Sequence, residues 1–321
     1  MPSLKEIKSR IASVNSTRKI TSAMKMVASS KLHHAQQMIE NMLPYENMLE
    51  KILKSFIASE MDVNIVYADV RPVKRVALVV YASNSSLCGG FNANVIKMMC
   101  SAVEKYKSLG NSIDIYPIGR KVLEKAQKMG YNCIGNFTDL ADKPNSSKCI
   151  EIASDICHKF IDGQYDKVEM IYHHFKSAGT QVLQRKTYLP IDLEDNIGSD
   201  NDRDLTHKTV TPEMQEYLRN NPDKTSNTQN VEARPLNDNF IIEPDMETVL
   251  GVLVPKLLNL MVYTALLDSN ASEHAARMVA MQTATDNADE LLKDLNLQYN
   301  KSRQQAITSE LLDIVGGSVN N

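Results

Sequence analysis

Between Asp268 and Val315 the apolar residues Met281, Ala284, Ala288, Leu291 and Leu295 recur at alternating steps of three and four, with no glycine or proline in the stretch. That is heptad spacing and predicts one long helix with a coiled-coil seam. At 1.5 Å per residue such a helix is about 70 Å long, too long to be buried within its own chain. Its far end breaks the pattern: Ala306, Ile307, Leu311, Leu312, Ile314 and Val315 do not keep to one seam. At about 100° per residue they sweep roughly two thirds of the circumference, whereas a single partner helix covers a stripe. Either a sleeve or a bundle must enclose this tip, and Gly316 and Gly317 are expected to stop the helix beyond it.

The first stretch, Leu4 to about Ile57, lacks glycine, and only Pro44 interrupts its helical pattern. Leu4, Ile7, Ile11 and Val14 form one stripe; Ile20, Met24, Val27, Ala35, Ile39 and Met42 form another, shifted in phase. A shift of this kind reads as a stutter, which locally unwinds a coiled coil. Charge adds a pairing rule. Residues 1–35 hold seven Lys or Arg against the single acid Glu6, and residues 273–321 hold four basic residues against seven acidic ones. Complementary flanks select partner and orientation more than they add stability, so the two ends are expected to pair as an antiparallel coiled coil. A basic helix also suits nucleic acid, but no interleaved aromatics or recognisable binding module accompany it.

Between the helices the pattern changes at Lys74. The apolar runs Val76–Tyr81, Ile113–Ile118 and Val168–Phe175 read as strands. Helices are expected over Asn94–Leu109, Lys121–Met129 and Ser147–Phe160, with glycines 110, 130 and 163 after their ends. A turn at Lys176–Thr180 leads into Gln181–Leu189. The fold class is therefore α/β: a Rossmann-like, mostly parallel domain with an antiparallel hairpin edge, set between two long coiled-coil helices. The boundaries predicted are 1–57 for the first helix, 74–195 for the α/β domain, 196–239 for a polar, proline-bearing insertion, and 240–321 for a return segment and the last helix. Pro255 is expected to break or kink that helix near its start.

Composition narrows the chemistry. With 321 residues, 43% hydrophobic, 23% charged and a net charge of -3, the chain suits one or two soluble units. No apolar run approaches the ~20 residues of a membrane span, so membrane association is expected only through partners. Five cysteines without a C-x-x-C pair fit a reducing compartment and neither a zinc site nor a disulfide framework. The loop Ser83–Asn92 follows the first strand and carries Gly89 and Gly90, so it invites a phosphate-binding reading. It matches neither G-x-G-x-x-G nor G-x-x-x-x-G-K-[ST], and a tight turn is the simpler account. Cys88 has no histidine beside it in sequence. In the pairs His33–His34 and His173–His174 adjacent side chains diverge, so neither pair chelates one ion easily. No cofactor and no metal is expected.

Two sequence blocks carry a resemblance. At one end stand Leu4-Lys5-Glu6-Ile7-Lys8-Ser9-Arg10-Ile11 and Lys19-Ile20-Thr21-Ser22-Ala23-Met24-Lys25-Met26-Val27-Ala28. At the other stand Ala271-Ser272-Glu273-His274-Ala275-Ala276-Arg277-Met278, Ala284-Thr285-Asp286-Asn287-Ala288, Arg303-Gln304, Ile307-Thr308 and Ile314-Val315-Gly316. These blocks resemble the gamma subunits of rotary, proton-translocating F-type ATP synthases. The chain departs from that family at Asn84, Ser85 and Ser86, where an acid, a base and a glycine are usual, and at Gly317, Ser318 and Asn320 near the end.

The resemblance implies a non-catalytic central-stalk shaft, peripheral on the cytoplasmic side of a bacterial inner membrane. It implies as partners the alpha and beta subunits of the catalytic head, the epsilon subunit and the ring of c subunits, with no nucleic acid and with membrane contact only through the complex. Subunit contacts are implied at Met24, Lys25, Arg303, Gln304, Ile307, Leu311 and Ile314 on the shaft, and at Phe240 and Ile242 at its foot. The competing readings are a nucleotide-binding α/β enzyme dimerised by a coiled coil, and a free-standing coiled-coil adaptor.

Overall fold

A computed structural model describes residues 3–57, 66–191, 243 and 245–319, leaving aside the side chains at 50, 51, 53–57, 246 and 313–319. The predicted insertion and the contact residues Phe240 and Ile242 lie outside the described residues. In chain order the elements are α1 (Leu4–Ile57), a 3₁₀ turn (Val66–Ala68), β1 (Arg75–Tyr81), α2 (Phe91–Ser108), β2 (Ser112–Ile118), α3 (Arg120–Lys128), β3 (Asn132–Cys133), α4 (Thr138–Asp142), α5 (Ser146–Ile161), β4 (Lys167–Ser177), β5 (Thr180–Leu189) and α6 (Met246–Val319). Contacts divide the chain into two compact units, one of Met1–Ala28 with Arg277–Asn321 and one of Ser29–Ala276.

In the second unit the five strands run in the order β3-β2-β1-β4-β5. β1 pairs parallel with β2 and β4, β2 parallel with β3, and only the β4–β5 hairpin is antiparallel. Both faces of β1 are buried, which is why its sequence is a continuous apolar run. Val76, Leu78 and Val80 meet α2 and α3 through Val95, Met99 and Val122. Ala77, Val79 and Tyr81 face Ile152, Ile156 and Phe160 of α5 and Leu258 and Val262 of α6. Helices α2, α3 and α5 end alike: glycines 110, 130 and 163 have φ of 78°, 71° and 67°. The following amide in each case reaches five residues back, as in Asn111 N to Tyr106 O at 3.1 Å. This is the Schellman closure, open to glycine at little steric cost.

Two sheet tyrosines hold α6 in place. The Tyr81 hydroxyl donates to Val262 O at 3.1 Å and the Tyr188 hydroxyl to Leu258 O at 3.3 Å, one helical turn apart. Pro255 lies inside α6 and Pro44 inside α1, and both helices run through without a break. The buried residues Leu250, Val254 and Leu258 flank Pro255, so packing retains the helix despite the missing amide. Helix α6 also runs past Gly316 and Gly317 to Val319. Glycine lowers helix propensity by about 1 kcal/mol without forbidding the conformation. Contrary to the composition argument, α6 carries an 18-residue stretch of mean hydropathy 1.8, apolar enough to cross a bilayer, of which 44% is buried within the protein.

In the first unit, α1 and α6 pair side by side. Arg18 Nη1 bonds Asp289 Oδ1 at 2.9 Å, and Thr21 Oγ1 lies 2.9 Å from Thr285 Oγ1. Three residues forward on α1 thus correspond to four residues back on α6, which makes the pairing antiparallel. The burial pattern corrects two sequence readings. Ile20 and Val27 are 60% and 57% exposed, while Thr21, Ala28 and Leu32 are buried. The shielded line along α1 is Leu4, Ile7, Ile11, Val14, Arg18, Thr21, Lys25, Ala28, Leu32, Ala35, Ile39 and Met42. That is an unbroken heptad, so there is no stutter. Polar residues at three consecutive seam positions hid the register from an apolar-only count. On α6 the seam passes through Met281, Thr285, Ala288, Leu292 and Leu295, and Leu291 lies outside it, exposed.

Candidate functional site

The loop after β1 is closed upon itself. Ser83 is buried, and its amide donates to Asn92 Oδ1 at 3.1 Å. Its hydroxyl donates to Ser85 O at 2.6 Å. Phe91 N donates to Cys88 O at 3.2 Å, and Arg120 N to Asn84 Oδ1 at 2.8 Å. The guanidinium of Arg120 is turned onto Asn84 O at 2.8 and 3.1 Å. The amides of Ser83, Phe91 and Arg120 and the Arg120 guanidinium thus have partners within the protein. Cys88 is buried, with Asn92 Nδ2 at 3.1 Å from its sulfur.

The second place to look is the crevice where an open α/β sheet changes winding direction, the usual ligand position in such folds. Here it lies between β1 and β4. β1 ends at Tyr81, but β4, level with Val80 at Ile171, continues to Ser177. Its extension fills the crevice: His173 stacks on Phe91 with ring centroids 4.4 Å apart. His174 Nδ1 lies 2.8 Å from Asp268 Oδ2, both fully buried. Ser272 Oγ donates to His173 O at 3.3 Å. The two histidines face different neighbours, one the α2 side and one α6, as adjacent residues on a strand must. Burial pushes His173 down to about 4, so its ring is neutral at pH 7. Burial also pushes the Cys149 and Cys157 thiols up to about 12 and about 11, away from nucleophilic reactivity.

A different kind of site stands at the end of α6. Carried along the helices, the Arg18–Asp289 and Thr21–Thr285 register brings Leu4, the start of α1, level with about Arg303. Beyond that point α6 has no α1 beside it. Ile307, Leu311 and Leu312 are 45%, 57% and 65% exposed, and Arg303 and Gln304 are exposed as well. Ile314 lies among the side chains outside the described residues. Met24 and Lys25 are half-buried on α1, Lys25 at a seam position. The structure thus groups Arg303, Gln304, Ile307 and Leu311 on one bare helix end and leaves Met24 and Lys25 apart from them. The partnering of Arg18 with Asp289 and of Thr21 with Thr285 was missed in the sequence, although the opposite charges of the two ends signalled it.

The first unit is thus a long helical pair with a bare apolar end, and the second an α/β unit whose crevice holds Phe91 and His173. Comparison with known proteins gives the family. The family model described as ATP synthase matches residues 3–319. The ATP synthase gamma chain of Phocaeicola vulgatus is 51% identical over 320 residues, covering 99% of this chain and all of that protein. That of Bacteroides thetaiotaomicron is 50% identical over the same span. The chain belongs to the ATP synthase gamma-chain family. Two solved mitochondrial ATP synthase structures share the fold. The mitochondrial ATP synthase central stalk and c-ring of Tetrahymena thermophila matches with a TM-score of 0.52 and 22% identity, over 83% of this chain and 99% of that one. A Euglena gracilis mitochondrial ATP synthase structure of OSCP, F1 and c-ring matches with a TM-score of 0.56 and 17% identity, over 98% and 93%. Gamma-chain membership thus extends over both helices and the α/β unit alike.

Proposed function

We propose that this chain is the central rotor shaft of an F-type ATP synthase and does no nucleotide chemistry itself. The observation that carries the reading is the bare end of α6, where Ile307, Leu311 and Leu312 stand exposed beyond the point reached by Leu4, the first residue of α1. Exposed apolar surface of this kind marks a site of protein contact. In a gamma chain the fitting partner is the bore of the ring of alternating alpha and beta subunits, an apolar sleeve in which the end can turn. The α/β unit, with the segment holding Phe240 and Ile242, serves as the foot on the epsilon subunit and the c-ring. Ion flow turns the ring and the shaft, and the shaft drives the catalytic beta subunits through their states in turn. This is coupling between distinct sites through a moving element. Met24, Lys25, Arg303, Gln304, Ile307, Leu311 and Ile314 make the contacts with the head. The chain sits peripherally, on the cytoplasmic side of the bacterial inner membrane, and meets the membrane only through the complex.

The alternative, a nucleotide-binding enzyme dimerised by its helices, finds little support in the loop after β1. The amides of Ser83, Phe91 and Arg120 are taken, and the sequence Ser83–Asn92 lacks the lysine of a phosphate loop. The purified chain should therefore show no Mg-dependent ATP hydrolysis, while alpha and beta subunits assembled with it should turn over ATP faster than without it. Saturable hydrolysis by the chain alone would overturn the reading.

A further inference from the structure

Within the first unit the α1–α6 seam holds one layer of polar residues bonded across the two helices, with Lys25 following it on α1. Along α1, Ile7, Ile11 and Val14 are followed by Arg18 and Thr21; on α6, Leu295 and Leu292 are followed by Thr285, with Asp289 at the flank. Thr21 is buried, and its hydroxyl lies 2.9 Å from that of Thr285. Each hydroxyl also has an acceptor in its own helix, Thr21 at Arg18 O (3.0 Å) and Thr285 at Met281 O (2.8 Å). Arg18 and Asp289 close the layer at 2.9 Å.

We propose that this layer, Arg18 and Thr21 with Thr285 and Asp289, locks the axial register of the shaft. Apolar heptads do not distinguish one register from another seven residues away, because each shift sets apolar residues against apolar residues again. The polar layer does distinguish them. Displaced by one heptad, Thr21 comes level with Met278 or Leu292, and Thr285 with Val14 or Ala28. Each hydroxyl then loses its cross-helix partner. Arg18 comes level with Gln282 or Asn296, neither of which carries a charge. Only the observed register gives all four groups a partner on the other helix, so they act as positioning residues for the shaft. A slip of one heptad is about 10 Å of sliding at 1.5 Å per residue, enough to misplace the end of α6 within any bearing. That consequence rests on the shaft reading; the register lock itself does not.

The test places p-benzoylphenylalanine at Ile11 of the full chain and maps the photocrosslinked residue of α6 by mass spectrometry. The observed register sets Ile11 level with Leu295, so the parent chain should crosslink within one turn of that residue. The variant Arg18→Leu, Thr21→Leu, Thr285→Leu, Asp289→Leu should melt no lower than the parent, yet crosslink in a second window seven residues away. The conservative pair Thr21→Ser with Thr285→Ser should restore the single window. A single window at Leu295 in the all-leucine variant would overturn the proposal, as would two windows in the parent. Should the all-leucine chain aggregate, Thr21→Val with Thr285→Val decides on the same readout. In alpha–beta assemblies the slipped variant should lose at least tenfold in ATP turnover. If the windows split while turnover holds, the lock stands and the shaft reading fails.

Discussion

At Gly119, where β2 hands over to α3, the backbone takes φ 105°, and a Cβ there would lie 2.0 Å from Ala82 O. Both facts demand glycine: the dihedral is costly for any other residue, and the neighbour is backbone that cannot swing away. Gly119→Ala should destabilise the α/β unit by about 3 kcal/mol or more, read as a lowered denaturant midpoint. His173 gives a pH dependence of calculable sign. Its ring is buried against Phe91, and Nδ1 has no hydrogen-bond partner among the described residues. Burial lowers its folded value to about 4. The unfolded chain therefore binds the proton first as pH falls. The stability contribution is complete above about pH 6.5 and is lost progressively down to about pH 4, by at most about 3 kcal/mol. His173→Gln should flatten the fall in melting temperature between pH 7 and pH 4 relative to the parent. An equally steep fall in both proteins would assign the acid sensitivity elsewhere.

At the scale of elements, periodicity served best where burial is complete. β1 was legible because both its faces are covered and Val76–Tyr81 is a continuous apolar run; β2 and β4 carry Asp114, Glu169, His173 and His174 among their apolar residues but are buried over much of their length. The helix ends at glycines 110, 130 and 163 were legible because the left-handed closure favours glycine. The two-residue β3 and the one-turn α4 carry too few residues for any period and went unseen. The α1 register is not legible from apolar periodicity because Arg18, Thr21 and Lys25 occupy seam positions while the apolar Ile20 and Val27 lie on the outer face. The bare end of α6 was visible as a sweep of apolar residues. What would cover it was not, because the residues of a partner leave no trace in the sequence of this chain. Arg303 and Gln304 provide a test at this scale. Both are exposed here, and alanine favours helix, so Arg303→Ala with Gln304→Ala should leave the chain's melting temperature unchanged. A charge-assisted hydrogen bond across an interface contributes about 1.5–3 kcal/mol. ATP turnover by the alpha–beta–gamma assembly should therefore fall roughly tenfold or more. Unchanged turnover would remove both residues from the mechanism.

For the whole molecule, the decisive features are mechanical. The two ends of the chain form an antiparallel helical pair held by Arg18–Asp289 and Thr21–Thr285, and the α/β unit has its ligand crevice filled by Phe91 and His173. Of the residues expected to touch partners, the structure presents Arg303, Gln304, Ile307 and Leu311 on the bare helix end. A shaft must turn, and turning can be watched directly. The measurement is single-molecule observation of a bead fixed to the α/β unit of this chain, in an assembly whose alpha and beta subunits are anchored to glass. On addition of Mg-ATP the account predicts unidirectional rotation in three steps per revolution, one for each catalytic beta subunit, at a rate matching ATP turnover. ATP hydrolysis at the normal rate with the bead stationary or merely diffusing would contradict it.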